Sequence, residues 1–175
     1  MTVSLAPPDT LVSDFRLAMR RLAATVTLVT TSDADGKRYG MLATSVTSVT
    51  MEPPMLLVCV SRSAHVHPAL MARKSMCINV LLDGQADLVR AFSSSLPHDE
   101  RFASAAWDKH PTFDLPYLPD AQALFFCEVD QVIEAGTHSV VLARVLESRS
   151  ISAVRPMVYV DGRMSHLPGS AAGSL

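Results

Sequence analysis

A mainly β chain, folded as an antiparallel barrel with a few helices on its flanks, is the fold class this sequence predicts. Three observations lead there. Runs rich in β-branched and apolar residues recur along most of the 175 residues. Short turn signals join them, the strongest being Asp161-Gly162 between two alternating segments. Strand–helix alternation, which a parallel doubly wound sheet needs throughout, is confined to the middle third.

Taken in order, residues 1–13 form an N-terminal arm, with Pro7-Pro8 and little else through Thr10. Ser13 is a candidate N-cap, and Phe15, Ala18, Met19 and Leu22 fall at helical spacing, which predicts a first helix over 14–23. Residues 25–31 are almost wholly β-branched or apolar. Asp33-Ala34-Asp35-Gly36 then turns the chain into a β-rich run over 38–50, so the pair reads as a hairpin. Pro53-Pro54 breaks that run before a buried strand at 55–60.

A short helix over 63–72 with Pro68 in its first turn, a strand over 75–81 and an amphipathic helix over 84–94 follow. Residues 95–120 carry Pro97, Pro111, Pro116 and Pro119 and read as a long, mostly irregular excursion. Alternation returns at Phe125, Cys127 and Val129, and Ala135-Gly136 turns the chain into a strand over 138–147. A last hairpin joins 157–160 to 163–167. The domain thus spans 14–167, with a flexible tail over 168–175.

Composition narrows the class. Hydrophobic residues make up 49% and charged residues 18%, with a net charge of −2 and no basic run, so a nucleic-acid partner is not expected. Cys59, Cys77 and Cys127 lie far apart inside apolar runs, which excludes zinc ribbons, redox dithiols and disulfide scaffolds and suits a reducing compartment. The N-terminus lacks the basic flank of a signal peptide, and the longest apolar run, 53–60, is too short to span a bilayer. A soluble cytoplasmic protein without membrane association is the expectation.

Several chemistries lack their residues. The seven glycines form neither GxGxxG nor GxxxxGK[ST]. No GxSxG elbow exists, and His65-x-His67 has no third ligand near it, so no metal site is expected. Two stretches remain. Tyr39 to Pro54 is rich in Ser and Thr, which offers hydroxyls to a polar, planar ligand or simply faces water. Ser61-Arg62-Ser63-Ala64-His65-Val66-His67-Pro68 gathers hydroxyls, a guanidinium and imidazoles at a helix start. That is either a phosphate site or a Ser-capped helix with a solvated Arg.

The ordered set of motifs resembles the short-chain flavin reductase family, the small components of two-component flavin monooxygenases. It comprises 14–23, 26–31, Gly40-Met41 through Pro53-Pro54, 61–68, Cys77-Ile78-Asn79-Val80-Leu81, Gln85 with Leu88 and Phe92, Arg101-Phe102, Trp107, Gly136-Thr137-His138 and 156–167. The resemblance implies a Greek-key FMN-binding split β-barrel and a homodimer with flavin sites near the subunit interface. It also implies reduction of FMN or FAD by NADH or NADPH. Carried over, Leu42, Ala43, Thr44 and Ser45 would line the isoalloxazine ring, and Ser61, Arg62, Ser63, Ala64 and His67 would hold the phosphate. Asn79, Leu81 and Gln85 would border the flavin tail, and Arg101 with Phe102 would belong to a closing loop.

His138 matches a histidine near the nicotinamide in that family, although Thr137 stands where the family has Asp. The alternative for His138 is a solvent-facing strand start. Thr25 replaces a usual Gly and Val46 a usual Phe, which changes bulk beside the flavin. Electrons would pass to a separate oxygenase through released flavin, or from tightly bound FMN to another acceptor such as a cobalt corrinoid. A non-catalytic flavin or haem module and a cofactor-free dimerisation domain are the readings from other classes.

Overall fold

The computed structural model describes residues 9–167, so the tail expected at 168–175 and most of the N-terminal arm lie outside the described residues. In chain order the elements are α1 (Asp9–Met19), β1 (Ala24–Thr25), β2 (Thr27–Ser32), β3 (Arg38–Ala43), β4 (Thr47–Met51) and β5 (Pro54–Ser61). Next come α2 (Val66–Arg73), β6 (Ser75–Val80), α3 (Ala86–Ser93), α4 (His98–Phe102), β7 (Asp108–Lys109) and β8 (Pro116–Tyr117). The chain ends through β9 (Ala123–Ala135), β10 (His138–Ser150), β11 (Met157–Val160) and β12 (Arg163–His166).

Seven strands form one sheet in the order β3-β2-β6-β9-β10-β5-β4, every pairing antiparallel. Its edge strands, β3 and β4, are consecutive in the chain, so the link 44–46 runs across the seam of a rolled sheet. There the Ser45 hydroxyl accepts the Cys59 N–H at 3.0 Å and donates to the Cys59 carbonyl at 3.4 Å. One side chain thus substitutes for a ladder rung where β3 has ended and β4 has not begun. This is the split of the expected barrel, and the antiparallel, mainly β class holds.

β2 is buried along its whole length because each face meets a different core. Val29 turns inward with Val58, Leu70, Ile78 and Val141, while Leu28 turns outward with Leu81, Phe92, Leu118 and Phe126. Its hydroxyls satisfy main-chain carbonyls: Thr27 on Ala43 at 2.7 Å, Thr30 on Pro116 at 2.6 Å and Thr31 on Ser75 at 2.8 Å. β-branched polar residues therefore fit a strand with no wet face. The closing hairpin β11–β12 turns through Asp161 and Gly162 at φ 50° and 79°, the left-handed pair that an Asp-Gly two-residue loop supplies.

Several expectations differ from the structure. The first helix runs Asp9–Met19 rather than 14–23, and Ser13 is not its cap: the Ser13 hydroxyl donates back to Thr10 O inside the helix at 2.8 Å. Phe15, Met19 and Leu22, spaced as if for a core, are exposed. Helical spacing reports that an apolar face exists, not that its own chain covers it. The run 38–50 is two strands with the seam between them.

The excursion 95–120 is also far from formless. It contains α4 and the β7–β8 pair, and it buries Phe102, His110, Leu115 and Leu118. Its contacts are distant in sequence, which local patterns cannot display. Among the described residues no helix is long and apolar enough to cross a membrane.

Candidate functional site

The seam rung organises the site. Holding Ser45 on Cys59 leaves Thr44 exposed at the floor of an open groove of about 750 Å³. Thr44, Ser45, Val46 and Thr47 form one side, Ala24, Thr25 and Tyr159 another, and Arg16, Met19, Arg20 and Leu22 the third. The end of α1 is fastened there, since Arg20 O accepts the Asp161 N–H at 2.7 Å and the Arg20 guanidinium donates to Asp161 O at 2.8 Å.

A second cavity of about 410 Å³, lined mainly by apolar side chains including Met51, Leu56, Phe125 and Val145, adjoins this groove. Thr25 and Val46 line both spaces, so the two positions flagged for altered bulk stand on the partition between them.

From Cys59 the strand continues two residues to Ser61, about 7 Å at the usual rise, and enters the polar corner. Ser61 and Ser63 place their hydroxyls 3.0 Å apart. The turn is tightened by Ala64 N–H donating to Ser61 O and His67 N–H to Ala64 O, which delivers the chain to the start of α2. The β9–β10 turn packs against this corner. Arg62 N–H donates to Thr137 O at 3.1 Å, its guanidinium donates to Gly136 O, and Nη1 pairs with Glu134 at 3.2 Å. His138 opens β10 directly across from Ser61, is exposed, and has Nδ1 2.9 Å from the Thr137 hydroxyl.

The expected site residues therefore divide. Thr44 and Ser45 meet at the groove, and Ser61, Arg62, Ser63, Ala64, His67 and His138 meet at the corner. Leu42 is half-buried and Ala43 buried, both turned to core neighbours behind the seam.

Asn79, Leu81 and Phe102 are not brought to either place. Asn79 has no exposed surface; its amide donates to Leu28 O at 2.9 Å and Thr30 Oγ1 at 3.1 Å, and its carbonyl accepts Leu118 N–H at 2.8 Å. Leu81 is fully buried, with its main chain shared between Val26 and Met157. Phe102 is buried edge-on to Phe92 at 5.2 Å and packs on Trp107 at 4.7 Å, which makes it core rather than lid.

Gln85 accepts the Leu82 N–H at 2.9 Å and lines a separate hollow beside Leu88 and Ser104, while Arg101 Nε donates to Leu96 O at 2.8 Å. His67 Nε2 lies 2.9 Å from the Ser139 hydroxyl, and among the described residues no three His, Cys, Asp or Glu side chains converge as a metal site would require.

Two residues of the corner were not singled out from sequence, Glu134 and Ser139. They are cross-strand partners, and Ser139 Oγ donates to Glu134 Oε1 at 2.9 Å. Counting outward from the Ala135-Gly136 turn was the signal available for them.

Comparison with known proteins identifies the family. A profile described as a flavin reductase like domain matches residues 19–168. The chain is 44% identical over 158 residues to the FMN reductase (NADH) RutF of Variovorax paradoxus, covering 90% of this chain and 87% of that protein. It is 38% identical over 157 residues to the reductase component of an FADH(2)-dependent resorcinol hydroxylase from a Rhizobium species, covering 89% and 87%. Among solved structures, the NADH:FAD oxidoreductase of Streptomyces globisporus in complex with NAD and FAD fragments superposes with a TM-score of 0.85 at 27% identity, covering 97% of this chain and 99% of that one.

Proposed function

This chain belongs to the flavin reductase like family, and from that membership we propose that it is an NAD(P)H:flavin oxidoreductase that reduces FMN or FAD. One observation carries the reading at this site. The Ser45–Cys59 rung ties the groove's Ser45 to β5 at Cys59, two residues before Ser61, where the Ser/Arg/His corner begins. On this reading a ring system would lie against Thr44 and Ser45 and a phosphate at Ser61, Arg62, Ser63 and His67, with the ribityl chain bridging the two residues of strand between them.

The donor set fits such a ligand. Hydroxyls and a planar guanidinium suit a phosphate monoester, and a groove with Val46, Met19 and Leu22 in its walls suits a flat, largely apolar ring. When bound, the flavin accepts hydride from the nicotinamide and supplies the electronics of the reaction. The chain's own residues bind, orient and exclude water, and no nucleophile is needed. His138, at the rim opposite Ser61, is the side chain for positioning the nicotinamide.

The same geometry supports a homodimer. Leu11, Val12, Phe15, Met19 and Leu22 present an apolar face to solvent, and α1 forms one wall of the groove, so a second copy covering that helix would also close the site. Reduced flavin would pass to a separate oxygenase, in keeping with the resorcinol hydroxylase relative's description as a reductase component.

The decisive experiment is an absorbance spectrum of the purified protein, followed by anaerobic NADH with and without added FMN. Bleaching of flavin absorbance at a catalytic rate is expected, with His138→Ala raising the KM for NADH more than that for FMN. Flavin binding without NADH turnover would make the protein a carrier, and no flavin affinity at all would overturn the assignment.

A further inference from the structure

The guanidinium of the corner is already engaged by a carboxylate of its own chain. Arg62 Nη1 lies 3.2 Å from Glu134 Oε2, and the other carboxylate oxygen accepts the Ser139 hydroxyl at 2.9 Å. Ser139 has a single proton to give and gives it there, so its 2.9 Å contact with His67 Nε2 is an imidazole N–H donated to the hydroxyl oxygen. Arg62 directly, and His67 through Ser139, thus direct donors toward Glu134. The side chains suited to a phosphate are matched to an internal anion. Both members of the ion pair are half-exposed, at 51% and 56%, so the pair is weak and exchanges readily with a solute anion.

We propose that Glu134 is an internal competitor for the flavin phosphate, a positioning residue that acts through Arg62 and holds flavin affinity low enough for release. The inference rests on the corner being the phosphate site. In the free protein the carboxylate keeps the guanidinium aimed and neutralised. An arriving phosphate monoester takes over the Arg62 donors and Glu134 turns to water. Reduced flavin carries the same phosphate and leaves by the reverse exchange. Such a device suits a reductase that gives its flavin away and would handicap one that keeps it.

The test compares FMN with riboflavin, which has the same ring and no phosphate, by fluorescence titration and steady-state kinetics. Glu134→Gln retains the acceptor for Ser139 and removes the charge. Two unit charges a few ångströms apart in water interact by about 1 kcal/mol, roughly a fivefold change in an equilibrium constant. The variant is therefore expected to lower Kd and KM for FMN by about five- to tenfold while leaving both unchanged for riboflavin. Arg62→Ala is expected to weaken FMN alone and to abolish most of the Glu134→Gln effect in the double variant.

If Arg62→Ala discriminates between the two flavins but Glu134→Gln fails to tighten FMN, or weakens it, the carboxylate is only scaffold and the inference falls by itself. If Arg62→Ala moves neither flavin, the phosphate corner falls and takes the inference with it.

Discussion

Asn79→Ala separates a structural from a ligand role for a residue that the family resemblance would place at the flavin tail. In the structure its amide joins three segments: β6, which carries it, β2 through Leu28 O and Thr30 Oγ1, and the excursion through Leu118 N–H. Thr30 extends the joint by donating its hydroxyl to Pro116 O at 2.6 Å. Truncation leaves the Leu118 N–H, in a residue with no exposed surface, without an acceptor, and takes a donor from Thr30.

A buried group left unsatisfied costs about 1–3 kcal/mol, and the void left by the amide adds to it, so a total of about 3 kcal/mol is expected. For a chain of this size that corresponds to a fall in Tm of roughly 6–12 °C. The single tryptophan, Trp107, belongs to the same excursion, packs on Phe92 and Phe102, and reports the transition in a urea or thermal titration. Measurements belong at one protein concentration and without flavin, because a partner or ligand bound to the folded state would mask the loss. Well below the transition, KM for FMN should stay within about twofold of the parent. A stability loss under about 1 kcal/mol combined with a tenfold rise in KM would refute the reasoning and return Asn79 to the binding site.

Burial raises the thiol pKa of Cys77 and pushes that of Cys127 up to about 12, so at pH 8 a thiol reagent should find at most Cys59 in the native protein and all three cysteines in denaturant. The Arg149 guanidinium holds Glu147 below its ordinary value of 4.5, with His110 Nε2–H also donating to it, and Lys109 holds Asp114 below 3.8. These folded-state values are depressed, so the stability they confer is present above the unfolded values and lost as pH falls through the folded ones. Trp107 emission should therefore change at a higher pH than far-UV circular dichroism on acid titration, and Glu147→Gln with Asp114→Asn should remove the gap. A Cβ on Gly40 would stand 2.8 Å from the Phe92 ring and 3.4 Å from Phe102; Gly40→Ala should cost about 1–3 kcal/mol and shift Trp107 emission, and a neutral result would show that these rings are loosely held.

How much of this was legible in the sequence depends on how far apart the contributing residues lie. Asp161-Gly162 and Asp33 to Gly36 announced their hairpins because a turn needs only adjacent residues of the right conformational tolerance. β-branched runs announced the strands for the same reason. The first helix was visible as a pattern but misplaced by several residues, since its residues 10–19 are all exposed and burial therefore favours neither end over the other.

The site behaves differently. Ser45 meets Cys59 across 14 residues, Asn79 meets Leu118 across 39, and His67 meets Ser139 across 72. Period-two alternation says which face a side chain takes and is silent on which strand lies beside it. Hydroxyl-rich strands were consequently ambiguous: Thr27, Thr30 and Thr31 prove to cap carbonyls inside the protein, whereas Thr44, past the next strand, lines the groove. The family resemblance compensates only where a motif is contiguous, as at 61–68. It named Arg62 and His67 but not the Glu134–Ser139 pair that orients them, because that pair enters the corner through the β9–β10 register. A chemistry that needs shape and donors rather than a nucleophile thus leaves its clearest sequence trace in the Ser/Arg/His corner proposed for the phosphate, and its faintest in the groove proposed for the ring.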